Sequence, residues 1–281
     1  MINVTVHMHI KDNTPANARL LALYYGLKHQ SNARVTKMLR TEIDRGADLI
    51  IVKGLSASLP LRYAVDEGIP FIILEDPYWR PNKEYTLSHT SWGYNGMCGR
   101  AWYPTTPFAS RPKPPLQPFK TEGDVIIFGQ KPDDYSLRGQ DHVQWIEDKM
   151  KQWPNAELRH HPLMLSNKPP DESIDDCLKR CYRAVTFSST VGAEALIAGC
   201  LSSPECPGST AYGVHDREAW LHNLSWRQFS NNELTGTPAV KFILSGYDEA
   251  RWRASEGMIE HPRDKVNRDV NIRRYQERFG V

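Results

Sequence analysis

The stretch 184–200, AVTFSSTVGAEALIAGC, decides how this chain reads. Ala184 to Phe187 have the continuous apolar character of a strand buried on both faces. The following VGAEALIAG is made of small and apolar residues that suit a short helix. Between them Ser188, Ser189 and Thr190 place hydroxyls where a helix begins and its first N–H groups lack intrahelical partners. Strand, polar turn and helix in unbroken succession are the crossover of a parallel α/β sheet. Such a helix start attracts anions, because free N–H donors and the positive end of the dipole point the same way. Glu194, one turn in, is placed to reach a sugar hydroxyl of a ligand whose phosphate lies on the cap. An ordinary capped crossover with a surface glutamate reads equally well from these residues alone.

Upstream, DVIIFGQKPDDYSLRG (124–139) is a buried strand closing on Gly129 and Gln130, then a polar loop with Asp133, Asp134 and Ser136. A helix over 141–153, with Val143, Ile146 and Met150 on one side, leads to the short strand ELRHHP (157–162). Pro162 biases His161 towards an extended backbone, which holds its ring at a strand end beside His160. A simple turn is the plainer reading of His-Pro. DESIDDCLKRCYR (171–183) is an amphipathic helix that feeds the strand at 184. Beyond Cys200, LSSPECPGSTAYG (201–213) is turn-rich and reads as a loop over a ligand.

The first part of the chain repeats the pattern. MINVTVHMHI (1–10) alternates as a strand does, with Ile2, Val4, Val6 and Met8 on one face and His7 and His9 on the other, near its end. A helix over 16–29 follows. ADLIIVKG (47–54) and IPFIILEDPYW (69–79) are apolar runs flanking a helix that closes at Gly68, which makes a right-handed parallel unit the default. Glu75 and Asp76 then fall on the rim formed by the strand ends. From 80 to 103 periodicity fades into aromatic residues, among them Tyr85, Trp92 and Tyr94. Long irregular loops are usually functional, and aromatic faces stack on sugars or bases. Capping the domain core is the competing reading. The proline-rich segment 104–122 is a semi-rigid spacer. The expected organisation is an α/β domain over 1–110, a linker over 111–123, a second α/β domain over 124–245, and a charged helical tail over 246–281 that packs back on the first domain.

A chain of 281 residues suits two such domains. The formal charge of +2 implies no polyanion partner from composition alone. Five cysteines, an odd number, in a chain with no secretory signal lead us to expect reduced thiols and a cytoplasmic location. Their spacing fits neither a zinc ribbon nor a finger, so no metal is expected. No apolar run has the length of a membrane span. The basic bias of the tail, including Arg273, Arg274 and Arg278, reads as a solvated helix face, with nucleic-acid contact as the alternative.

Three segments, IIFGQKPDDYS (126–136), WPNAELRHHP (153–162) and SSTVGAEALIAGC (188–200), resemble in order and spacing the bacterial capsule polysaccharide biosynthesis proteins that include Kdo transferases. They are also similar to the His-Pro and Ser-Ser/Thr motifs of bacterial sialyltransferases that use CMP-linked donors. PECPGSTAYGVHDREAW (204–220) is similar to the loop after that family's helix. The likeness spans about 124–233, less than half of the chain. It implies a GT-B glycosyltransferase: two Rossmann-like domains whose parallel sheets face a central cleft, the nucleotide held by the second and the acceptor by the first. On this resemblance His161 contacts the donor phosphate and assists departure of the leaving group. Ser188, Ser189 and Thr190 hold that phosphate, Glu194 binds the ribose, and Gln130 sits at the cleft with Asp133 or Asp134. Gly129 and His160 complete the donor-binding set. Two departures leave the donor's base and sugar open. Leu158-Arg159-His160-His161-Pro162 stands where the family has Lys-Pro-His-Pro, and LSSPECPG stands where it has a hydrophobic strand.

Transfer of this kind develops negative charge on the leaving oxygen, which donors at a helix end and an imidazolium stabilise without a metal. Asp76 is the first candidate for the base that activates the acceptor and Glu75 the second, with carboxylates that cap the turn at Pro77 as the alternative. Trp79, Arg80, Trp92 and Tyr94 are the expected acceptor contacts. The expected acceptor is a glycan or a hydroxymethylated pyrimidine in DNA, such as phage DNA. The nucleotide sugar is a co-substrate, and no cofactor is expected. Two other functions fit the same pattern: a non-catalytic nucleotide or nucleic-acid binding protein, and a nucleotide-sugar epimerase.

Overall fold

The computed structural model describes residues 1–10, 14–54, 58–79, 84–90, 113–165, 171–258 and 268–281. Arg80, Trp92 and Tyr94 lie outside the described residues. The fold is α/β and divides into two compact units, Met1–Pro112 with Leu221–Pro262, and Lys113–Trp220 with Arg263–Val281.

The first unit is built on β1 (Asn3–Met8), α1 (Pro15–Gln30), β2 (Arg34–Leu39), β3 (Leu49–Lys53), α2 (Leu59–Asp66), β4 (Phe71–Glu75) and β5 (Tyr85–His89). β2, β1, β3 and β4 run parallel in that spatial order, and β5 joins β4 antiparallel. The apolar runs of β3 and β4 are buried over four residues each, as a sheet covered on both faces requires. β2, RVTKML, is half polar because it lies at the sheet's edge, and for that reason it escapes a reading based on apolar runs. Thr14 caps α1 by accepting from the Asn17 N–H, and Pro15 fills the first turn where no N–H is needed.

This core is completed from far along the chain. After α6 (Arg217–Ser225) come β10 (Gln228–Phe229), α7 (Asn231–Leu234), α8 (Thr237–Ser245) and α9 (Tyr247–Ser255). Phe229, Leu234, Val240, Phe242 and Ile243 share one apolar cluster with Val4, Val6, Leu20, Leu23 and Leu74. Gly26 permits the close approach: a Cβ there would land on the carbonyl oxygen of Leu234 and within 3.1 Å of the Thr235 backbone. Replacing a mid-helix glycine by alanine ordinarily stabilises by about 0.5–1 kcal/mol. Here backbone meets backbone, so Gly26→Ala is expected to destabilise by about 1–3 kcal/mol, read from urea unfolding.

The second unit contains β6 (Asp124–Phe128), α3 (His142–Gln152), β7 (Glu157–Arg159), α4 (Ile174–Arg180), β8 (Cys181–Thr186), α5 (Val191–Ile197), β9 (Leu201–Pro204) and α10 (Arg268–Phe279). Its four strands are all parallel, in the order β7-β6-β8-β9. The segment expected to loop over a ligand therefore begins as a strand. Leu201–Pro204 pairs with Arg183–Thr186, and the Arg183 guanidinium donates to Ser203 Oγ at 2.8 Å. Two serines and a terminal proline hide an edge strand from a hydrophobicity reading. α10 lays Ile272, Tyr275 and Phe279 against Val143, Trp145 and Ile146. Two of its arginines are paired with α3 and its cap: Arg274 meets Asp141 at 2.5 Å, and Arg278 meets Glu147. Among the described residues no helix is long and apolar enough to cross a membrane, and no group of three or more His, Cys, Asp or Glu is arranged to hold a metal ion.

Candidate functional site at the carboxyl ends of the second sheet

In the order β7-β6-β8-β9 the winding reverses between β6 and β8. The loops that leave these two strands diverge to opposite faces, and a crevice opens at their carboxyl ends, the usual place for a ligand in a parallel α/β sheet. Gly129 and Gln130 follow β6, and Phe187 and Ser188 follow β8.

Gln130 bridges that gap. Its Oε1 accepts from the Ser188 N–H at 2.7 Å, and its Nε2 donates to Ser188 Oγ at 2.9 Å and to Ser136 Oγ at 3.1 Å. Ser188 Oγ lies 2.9 Å from Ser136 Oγ. The main chain of Gln130 is fixed as well, because its N–H donates to His142 Nε2 at 2.7 Å. His142 therefore carries its proton on Nδ1, which is buried without a partner. Its ring is stacked with both Trp145 (5.3 Å, 10°) and Tyr275 (6.2 Å, 5°). Gly129 is constrained by the same packing: a Cβ there would lie 2.8 Å from the Tyr275 hydroxyl. Gln130, Ser188 and Gly129 thus build the floor of the rim.

The two adjacent histidines face different ways. His160 Nδ1 lies 2.9 Å from the Tyr275 hydroxyl, and its ring meets Tyr275 edge-on, so this nitrogen is engaged with α10. His161 is half-buried, and its Nδ1 accepts from the Leu163 N–H at 3.2 Å, which puts the neutral ring's proton on Nε2. Burial holds His161 below the ordinary histidine value; Asp134 and Asp133 oppose this and Lys131 adds to it. Lys131 is paired with Asp133 at 2.9 Å. Asp134 caps the turn at 135–137 by accepting from the Ser136 N–H at 2.8 Å. Ser189 Oγ accepts from the Val191 N–H at 3.3 Å, whereas the exposed Thr190 holds the cap position with no side-chain cap bond. Glu194 is half-buried in the first turn of α5.

In the first unit, Asp76 Oδ1 meets Arg19 at 3.0 Å and Lys53 at 3.2 Å, and Lys53 also lies 3.7 Å from Glu75. The Asp76 side chain is 70 % exposed. Trp79, expected to face the acceptor, is instead buried at 6 % exposure, since the chain turns into the core after Pro77. Sequence reasoning missed His142 and Tyr275. The signal for the first is a histidine directly after the helix cap Asp141, and for the second an apolar stripe in a charged tail.

No family model and no curated protein matches the chain. Among solved structures it is similar to Thermosulfurimonas dismutans KpsC, beta Kdo 2,4 transferase, at 15% identity and a TM-score of 0.45, over 80% of this chain and 89% of that one. It is likewise similar to Thermosulfurimonas dismutans KpsC, beta Kdo 2,7 transferase, at 14% identity and a TM-score of 0.45, over 91% and 99%.

Burial pushes His142 down to about 3 and His89, in the core of the first unit, down to about 4. Both fall below the ordinary 6.5, so the unfolded chain takes up these protons first as pH drops. Their contribution to stability is complete above about pH 6.5 and is lost progressively towards pH 4 and below. Urea unfolding should show stability falling by a few kcal/mol over that range, and His142→Gln should flatten the fall.

Proposed function

We propose that the chain is a GT-B-type glycosyltransferase that moves a sugar from a nucleotide-linked donor to a hydroxyl acceptor, with the donor phosphate at the carboxyl rim of the second sheet. The observation that carries this reading is the crosslinked floor Gln130–Ser188–Ser136 with the neighbouring His161, whose Nε2 is left to donate. A leaving phosphate needs donors whose positions are set before charge develops, and rigidly held groups provide that without reorganisation. At neutral pH His161 is uncharged and donates from Nε2. Ser189 and Thr190 line the same rim, and Glu194 is placed one turn further for the ribose. On this reading the reaction is metal-independent.

Acceptor activation falls to Asp76, with Glu75 second. Arg19 and Lys53 both meet Asp76 at Oδ1, so Oδ2 is the oxygen to take a proton. A glycan acceptor is favoured over modified DNA, because two of the tail arginines that would meet a phosphate backbone are paired with Asp141 and Glu147.

Thermal melting with CMP-, UDP- and GDP-linked sugars tests the reading. One donor class should raise the midpoint, since saturation at about 100-fold over Kd stabilises by about 2.7 kcal/mol. His161→Ala should weaken donor binding by about tenfold and slow transfer by about 10²–10⁴-fold. No shift with any donor would overturn the proposal, and a changed sugar released without acceptor would point to epimerisation instead.

A further inference from the structure

The first sheet repeats the strand order of the second: β2-β1-β3-β4 are parallel, and the winding reverses between β1 and β3. By the same rule the carboxyl ends of β1 and β3 are where this sheet is expected to receive a ligand, within the first unit alone. The residues placed there carry a different chemistry.

His9 follows β1 and is held by its own backbone. Its N–H donates to Asn17 Oδ1 at 2.7 Å, and its carbonyl accepts from Asn17 Nδ2 at 3.2 Å, with Asn17 itself buried. Arg40, after β2, donates to His9 Nδ1 at 3.2 Å. An arginine only donates, so His9 Nδ1 accepts and the neutral ring carries its proton on Nε2. Burial first, then Arg40 and Lys53, hold His9 below the ordinary histidine value, so both cations act on the ring. Lys53, at the end of β3, is 11 % exposed at its side chain and meets Glu75 and Asp76 from β4 on its other side. From α1, Arg19 pairs with Asp76 and lies 3.7 Å above the Tyr85 ring. Among the described residues, Arg19, Arg40 and Lys53 are the cations of this rim and Glu75 and Asp76 its carboxylates.

We propose that the rim at the carboxyl ends of β1 and β3 binds an anionic group, a phosphate monoester or a carboxylate, which accepts from His9 Nε2–H and is balanced by Arg40 and Lys53. An oriented neutral donor flanked by fixed cations is how an oxyanion is held without a metal. The proposal does not depend on glycosyl transfer, because every residue in it belongs to the first unit.

The test is nitrogen NMR of the histidine rings in the labelled full-length chain. It is titrated with inorganic phosphate, with acetate, and with chloride at the same ionic strength. Phosphate or acetate should shift the His9 ring saturably and move its midpoint to higher pH, because a bound anion offsets Arg40 and Lys53. The stronger of the two arms tells phosphate from carboxylate. Arg40→Gln and Lys53→Met should each weaken that response by about tenfold, as loss of a charged hydrogen bond does. If Lys53→Met fails to fold, judged by loss of the dispersed histidine signals, Arg40→Gln decides. A His9 response no larger than in chloride, or a phosphate response confined to His161, would overturn the proposal. His161 is read in the same spectrum with nucleotide sugars, so failure of donor binding and failure of this site are told apart.

Discussion

The hydrogen bond from the Ser188 main chain to the Gln130 amide, 2.7 Å long, joins the two strands that a parallel sheet leaves apart at its point of reversal. Beyond their last paired residues β6 and β8 no longer share a ladder, and a buried N–H left there unpaired costs about 1–3 kcal/mol. The amide supplies the missing partner and then continues to Ser136, so the loops after β6 and β8 are tied at one side chain. Behind it stands a series of supports: His142 accepts from the Gln130 N–H, Tyr275 packs on His142, and α10 brings Tyr275 to the core. Gly129 has no Cβ because the Tyr275 hydroxyl occupies that space. The C-terminal helix thereby sets the position of Gly129 and Gln130, more than a hundred positions earlier in the chain.

The two units share a strand order but not an electrostatic design. The second unit closes its crevice floor with neutral hydroxyls and an amide, each satisfied by the others, and keeps its charged residues paired beside it. The first unit lines its strand ends with Arg40, Lys53 and a histidine whose tautomer is set by Arg40. Neutral groups that satisfy one another hold a backbone in place, whereas fixed cations suit a group that arrives already charged. That difference arises from side chains at equivalent strand ends, on the same backbone scaffold.

Adjacent residues divide between structure and site in a way that burial explains. His160 and His161 sit on neighbouring positions of an extended backbone, so their side chains alternate, one towards Tyr275 and one towards the rim. Trp79 and Asp76 divide similarly: two intervening residues separate a carboxylate that is 70 % exposed from an indole at 6 %. An aromatic residue after a strand is as able to fill a core as to stack on a ligand, and its neighbours in space decide which.

The sequence by itself determined the α/β class, the buried strands β1, β3, β4, β6 and β8, and the strand ends at which Gln130, His161, Ser188 and Asp76 stand, because apolar runs and their polar terminators are local signals. It did not reveal β2, β9 or β10, nor β5, which stands at Tyr85–His89 where an irregular aromatic loop was expected. Edge strands are short and half polar, and their identity lies in the partner they pair with. Nor did it reveal that Phe229, Leu234 and Phe242 finish a core begun by Val4, or that Tyr275 supports Gln130 through His142. Those relations join residues far apart in the chain, and periodicity records only which face of an element is buried. What covers that face, and which side chain is left to meet a ligand, was decided by tertiary packing.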